Sequence, residues 1–320
     1  MRPSCHTAGL RLADSFHSTI RTLPAKDILS PMQANQEVIN QWSSAAKFWE
    51  KHRSVVKQMF APVTQALVED ARITGRYPAS SSQSVLDIAT GPGDPALSVA
   101  PLLGPEGKIF GVDPIPEMIN AARRAAKQLS FGNAQFEVAF ADHLPFSADT
   151  FDAVISRFGA MFFPSPVEAV REMLRVLKPG RKLALAVWHS AEANPFFNTV
   201  SQVIDRYVES PPRAPDAPDA FRFATPGKLL DVLVDAGVMA PAERLLHCNL
   251  QAPVSAEEFW TLRTELSEKL REKIALLSGD QLAEAKCQAL EAFRPYSTAT
   301  GMSFPAEVLI VSGAKPPARS

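Results

Sequence analysis

The spacing of apolar and polar positions changes period along this 320-residue chain. From residue 33 to about 73, apolar side chains recur three to four apart. Trp42, Ala45, Ala46 and Trp49 are followed by Val56, Met59 and Phe60, which predicts helix. The turn-forming run GRYPASSSQS (75–84) closes that region. Short apolar runs then alternate with amphipathic stretches. VLDIA (85–89), KIFGVD (108–113), AQFEVAF (134–140), FDAVISRF (151–158) and RKLALAVW (181–188) read as strands. Asp94-Pro95 supplies an N-cap and a first-turn proline for one helix, and Pro116 opens another to about Gln128. Ser165-Pro166-Val167-Glu168 reads as a capping box. The helix behind it carries Val167, Val170, Leu174 and Leu177 on one face and stops at Lys178-Pro179-Gly180. Strand-helix alternation of this kind predicts a mainly parallel sheet with helices on both faces.

The second half is less regular. A proline-rich loop (211–219) precedes a helix that Thr225-Pro226 should cap and Gly237 should end. RLLHCNL (244–250) reads as a sixth strand and AEVLIVSGA (306–314) as the last. Two charged amphipathic helices lie between them. One turns Phe259, Leu262, Leu266 and Leu270 inward, and the other spans about 280–293.

Composition narrows the function classes. The chain is 46% hydrophobic and 21% charged, with a net charge of −1, an ordinary globular profile. It has no basic stripe to favour a nucleic-acid partner. No apolar run approaches the roughly 18 residues of a membrane span. Cys5, Cys248 and Cys287 are far apart, and the six histidines are dispersed. That pattern has neither disulfide nor metal-ligand spacing, so a metal-free protein of the reducing cytoplasm is expected. Residues 1–31 lack the apolar core of a signal peptide and are expected to be a disordered tail. Residues 32–80 then form a helical cover and linker, and 81–315 one domain with insertions at about 190–225 and 251–303.

The chemistry is concentrated at VLDIATGPGDPA. Gly91-Pro92-Gly93-Asp94-Pro95-Ala96 satisfies the G-x-G-x-x-G/A pattern of dinucleotide binding, and Asp113 ends the next strand. Three carboxylates, Asp87, Asp113 and Asp142, nevertheless follow three successive strands. They suit a ligand with an ammonium, a ribose diol and an adenine amino group, which are all donors. A pyrophosphate would be repelled.

With VLDIATGPGDPA, GVDPIPEMI, FADHLPF, FDAVISRFGAMFF and LRVLKPGRKLALAVW in order, the stretch from Val85 to Trp188 resembles the class I S-adenosylmethionine-dependent methyltransferases. The likeness is to the type that includes the ubiquinone and menaquinone biosynthesis C-methyltransferases. The resemblance implies a three-layer α-β-α sandwich on a seven-stranded, mostly parallel, Rossmann-like sheet whose last strand is antiparallel. It implies that Asp87 anchors the methionine amino group, that Ala89, Gly91 and Gly93 let the backbone approach the cofactor, and that Asp113 binds the ribose hydroxyls. Pro114 and Met118 would pack on adenine, and Ala141 and Asp142 would address its edge. Ser156 and Arg157 would stand where methyl donor and acceptor meet.

Two positions depart from the family pattern: Ile115 precedes Pro116 where Ser or Thr is usual, and Pro95 replaces a third glycine. No catalytic base is identified; Arg157, His143 and His189 are candidates. The expected function is methyl transfer from S-adenosylmethionine to a carbon or oxygen of a small quinone-like or phenolic acceptor. A nicotinamide-dependent oxidoreductase and a non-catalytic cofactor-binding protein are the alternatives.

Overall fold

The computed structural model of the chain describes residues 21–22, 31–73, 82–104, 106–209 and 216–318. Seven strands make the main sheet: β1 (Ser84–Ile88), β2 (Lys108–Asp113), β3 (Ala134–Val138), β4 (Phe151–Arg157), β5 (Leu177–Trp188), β6 (Met239–Ala252) and β7 (Gly301–Ala314). Their order is β3-β2-β1-β4-β5-β7-β6, with Ser297–Thr298 added beside β7. The first five are mutually parallel, and β7 runs antiparallel to both β5 and β6. This is the expected doubly wound sheet. The strand reversal falls between β1 and β4, where the chain crosses from one half of the sheet to the other, and ligands bind at such a crevice.

β4 lies at the centre and is buried along its whole length, as an apolar run covered on both faces must be. The helices that cover the sheet are α1 (Pro31–Lys51), α2 (Arg53–Met59), α3 (Ala61–Asp70), α4 (Ala96–Val99), α5 (Pro116–Gln128), α6 (Pro166–Val176) and α7 (Pro195–Ile204), then α8 (Lys228–Asp235), α9 (Ala256–Leu266), α10 (Glu268–Ile274) and α11 (Gly279–Ala292). None of those described is long and apolar enough to cross a membrane.

Several local expectations are corrected. The continuous helical pattern before residue 73 breaks into α1, α2 and α3. Ser165 makes no side-chain cap to α6, and the Glu168 side chain accepts from Arg171 instead of closing a capping box. Lys178-Pro179-Gly180 does not separate helix from strand: β5 begins at Leu177, and Lys178 pairs with the buried Asp152 of β4 at 2.8 Å. Gly227, in a left-handed conformation, starts α8 in place of Thr225-Pro226, and its N–H donates to Glu243 on β6. β6 and β7 are each 14 residues long, far beyond the apolar runs that marked them, because each pairs along its length with a neighbour. The two helices expected between β6 and β7 are three, since Ser267 caps a new one, α10. The capping boxes are at Ser255 and Ser278. Of residues 1–31, Arg21–Thr22 pair in parallel with Val208–Glu209 and Pro31 begins α1. The remainder of the expected tail, and residues 74–81 and 210–215, lie outside the described residues.

The segments α7 and α9–α11 form a roof joined to the sheet by aromatic packing. Phe304 of β7 is fully buried and stacks on Phe259 of α9 with ring centres 4.6 Å apart. Phe293, at the end of α11, closes on both rings at 5.3 and 6.0 Å. Truncating a fully buried ring typically costs about 3–5 kcal/mol. Phe304→Ala should therefore lower the denaturant midpoint by an amount in that range, with the loss concentrated in the roof when protection is read by hydrogen exchange.

Candidate functional site

The C-terminal ends of β1, β2 and β4 open on a cavity of about 740 Å³ roofed by α1, α7, α9 and α10. The turn after β1 is tightly wound: Ala89, Gly91 and Gly93 all have positive φ, at 58°, 54° and 103°. Left-handed backbone at a residue with a Cβ is uncommon and costs energy. Gly159 leaves room for Ala89, since a Cβ there would come within 2.5 Å of the alanine methyl. The two glycines serve different ends. Gly91 faces the cavity with nothing within 4 Å of a Cβ, whereas one on Gly93 would meet Leu97 at 2.7 Å and Ala122 at 3.2 Å. Gly91 thus leaves room for a ligand, and Gly93 lets α5 pack against the turn.

Asp87 lies beneath this turn, fully buried and off the cavity wall. Its Oδ2 accepts from the Thr90 hydroxyl at 2.6 Å and from the Ala96 N–H at 3.0 Å, so Asp87 caps α4. Its Oδ1 has no partner. Burial pushes its pKa up to about 7, against the lowering effects of Thr90, Arg157 and Ala96. The cap expected from Asp94 is thus made by Asp87. Asp94 instead pairs with Arg157 at 2.6 Å and accepts from Ser98. Arg157 also donates to Thr64 of α3 at 2.7 Å and to the Asp94 carbonyl at 3.1 Å. Its charge is matched within the fold.

Asp113 is on the wall, at the end of β2. One oxygen accepts from the Gly91 N–H and the other from the Ile115 N–H, each at 3.0 Å. Burial raises its pKa to about 6, opposed by those two N–H groups. Each oxygen has acceptor capacity left.

Ala89, Pro114, Met118 and Ala141 join Asp113 and Arg157 on the wall. Gly93, Asp142 and Ser156 do not line it, and the buried Ser156 hydroxyl donates to the Ile88 carbonyl at 2.8 Å. His143 is exposed and off the wall. His189 is half-buried beside the lining residue Ser190, its Nδ1 2.8 Å from Glu307.

Helix α1 supplies a further side. Trp42 and Trp49 line the cavity, and with Ile39 and Ala46 they pack against Ile115 and Met118. Phe48 does not line it. Polar pairs at Ser43–Glu117 and Glu50–Arg124 hold α1 against α5. Toward the roof the wall turns aromatic, with Phe158 stacked on Trp188 at 4.0 Å and Trp188 edge-on to Phe197 at 5.0 Å. Sequence reasoning missed Thr90, Arg53 and Arg263. Arg263 lies four residues after Phe259 and three before Leu266, inside the inward stripe of α9, and that spacing was its signal.

Residues 79–212 match the sequence profile of a methyltransferase domain family. That matched stretch, under half of the chain, is similar to a methyltransferase domain. A ubiquinone/menaquinone biosynthesis C-methyltransferase of Marinomonas is 37% identical over 124 residues, 38% of this chain and 48% of its own. A demethylmenaquinone methyltransferase of Listeria welshimeri is 37% identical over 101 residues, 32% of this chain and 43% of its own. The chain spans about half the length of the curated relatives it matches. Among solved structures, the YcgJ protein of Bacillus subtilis superposes with a TM-score of 0.49 at 19% identity, over 80% of this chain and 98% of its own.

The elevated pKa of Asp87 makes the stability of the fold depend on pH. The folded state keeps the proton to higher pH than the unfolded chain, so ionising Asp87 costs stability. That stabilisation is complete below the unfolded value of 3.8 and is lost as pH rises to about 7. In Asp87→Asn, whose amide oxygen can still accept from Thr90 and Ala96, this loss should vanish. The melting temperature of the variant should gain on that of the parent steadily between pH 4 and pH 7. Parallel curves across that window would show that Asp87 does not titrate there.

Proposed function

We propose that this protein is an S-adenosylmethionine-dependent methyltransferase of the cytoplasm that methylates a carbon or oxygen of a small quinone-like or phenolic molecule. The observation that carries the reading is Asp113. It is a buried carboxylate at the end of β2, pinned by two backbone N–H groups and turned to a cavity large enough for a nucleoside and a second small molecule. An acid so placed takes a pair of hydroxyls and repels a phosphate. The nearby residues fit the same ligand. Gly91 leaves open space at the turn, the Asp87 Oδ1 is an unmatched acceptor beneath it, and Met118 and Ile115 give an apolar face under Trp42. Support for the acceptor class comes from relatives named for quinone biosynthesis and from the aromatic walls.

In this reading Asp113 holds the ribose diol, Ala89 and Gly91 bring the backbone alongside, and Gly93 acts by seating α5. Asp87 sets the charge beneath the methionine end, while Thr90 and Ala96 hold it in place. Pro114, Met118 and Ala141 flank adenine, with Asp142 at its edge. S-adenosylmethionine brings a methyl group already made electrophilic by its sulfonium, so the protein has to position an acceptor rather than activate a donor. The roof helices α7 and α9, with α1, cover that encounter. Arg157 and Ser156 shape the end of β4 without contributing a proton, since the hydrogen bonds of both are made within the fold. Of the candidate bases, His189 is best placed, its ring oriented by Glu307.

Asp113→Ala removes charge-assisted hydrogen bonds of about 1.5–3 kcal/mol each. It should weaken S-adenosylhomocysteine binding at least tenfold in a calorimetric titration while the protein stays folded. A variant that binds like the parent would overturn the ribose assignment.

A further inference from the structure

The wall of the cavity is divided by hydrogen-bonding character. At the end formed by β1 and β2 the unmatched polar capacity is acceptor: Asp113 on the wall and the Asp87 Oδ1 behind it. On the helices α1, α2 and α9 it is donor. Trp49 Nε1, Arg53 Nη1 and Arg263 Nε are all buried without a partner, and all three residues line the cavity. A methyl donor with an ammonium, a diol and an adenine amine answers the first set. The second set calls for a different group, one rich in acceptors.

Arg263 is the most telling of the three. It is 5% exposed, and its guanidinium makes no hydrogen bond or ion pair among the described residues. Its flat faces are taken by Phe196 at 4.5 Å and Phe197 at 4.9 Å, both from α7. Ring contacts of that kind satisfy the plane of a guanidinium and leave its N–H edges unmet. Most other cavity ions are matched: Asp94 with Arg157, Asp205 with Lys273, and Asp219 with Lys269 at 3.0 Å, while Arg53, whose Nη1 is also unpaired, lies within the field of Glu50. Glu268 accepts from Ser44, and Glu192 is exposed. A buried cation left without a carboxylate is costly, and folds keep one where a ligand completes it. Burial draws the Arg263 pKa down only to about 10, so the charge is present at neutral pH.

Resting on the methyltransferase reading, we propose that the acceptor is a flat, largely apolar molecule carrying a carboxylate, and that Arg263 receives that carboxylate through the N–H edge of its guanidinium. Planar bidentate pairing suits a carboxylate, and the rings of Phe196 and Phe197 hold the fork at one angle. The aromatic wall from Phe158 to Trp188 takes the flat body. Arg263 thereby selects an acid over its uncharged analogue and sets which edge of the ring faces the methyl donor.

The test uses the full-length protein and two probes of equal shape, 2-naphthoate and 2-naphthamide, titrated with and without saturating S-adenosylhomocysteine. The parent should prefer naphthoate at least tenfold. Arg263→Met should bind both probes alike while its S-adenosylhomocysteine affinity is unchanged, and Arg263→Lys, which keeps charge without the fork, should show an intermediate preference. Equal binding of the two probes by the parent, binding of neither, or a preference that survives in Arg263→Met would overturn the proposal. If Arg263→Met lacks a cooperative thermal transition, the lysine variant decides, and a preference equal to the parent's counts against the fork. If S-adenosylhomocysteine fails to bind but the naphthoate preference holds and disappears in the variants, the anion site stands and the methyl-donor reading falls.

Discussion

The buried ion pair between Asp94 and Arg157 is the joint on which the cavity depends. It links the turn after β1 to the end of β4, the two strands that flank the reversal in the sheet, and through Thr64 it reaches α3 as well. Both side chains are at most 5% exposed, so the pair is desolvated, and removing one partner would strand the other. Beneath it Asp87 ties the same turn to α4. The turn carries positive φ at Ala89 as well as at its glycines, a shape that persists because these contacts over-determine it. These contacts brace the rim of the cavity at the ends of β1 and β4.

The roof is held differently. Phe259, Phe293 and Phe304 join α9 and α11 to β7 by ring packing, while Asn194, fully buried, bonds through both its amide atoms to the backbone of Glu307 and so fixes the start of α7. Polar capacity on the cavity is divided: the strand ends present acceptors, and α1, α2 and α9 present unmatched donors.

Much of this was legible in the chain. The five parallel strands were marked by short apolar runs, and Asp113 by its place at the end of one of them. β6 and β7 were recognised only in part, because Pro241 and Glu243 in the one and Gly301 and Pro305 in the other break the apolar pattern of the stretches left unread. Capping was misplaced at Asp94 because local sequence cannot show a partner as distant as Arg157. Asp87 looked like a ligand acid on the cavity, whereas the fold sets it under the turn as a cap. Arg263 was hidden in the opposite way. A cation on an amphipathic helix is usually solvated, and only the packing of α7 against α9 shows that this one is enclosed.

The central claim is that the glycine turn and Asp113 cradle a nucleoside with donor groups rather than a pyrophosphate. Calorimetric titration of the intact protein with S-adenosylhomocysteine, beside a matched titration with NADH, tests it most directly. The account predicts saturable one-to-one binding of the first and no heat of binding from the second. Saturable binding of NADH with none of S-adenosylhomocysteine would contradict it and make the turn a dinucleotide site.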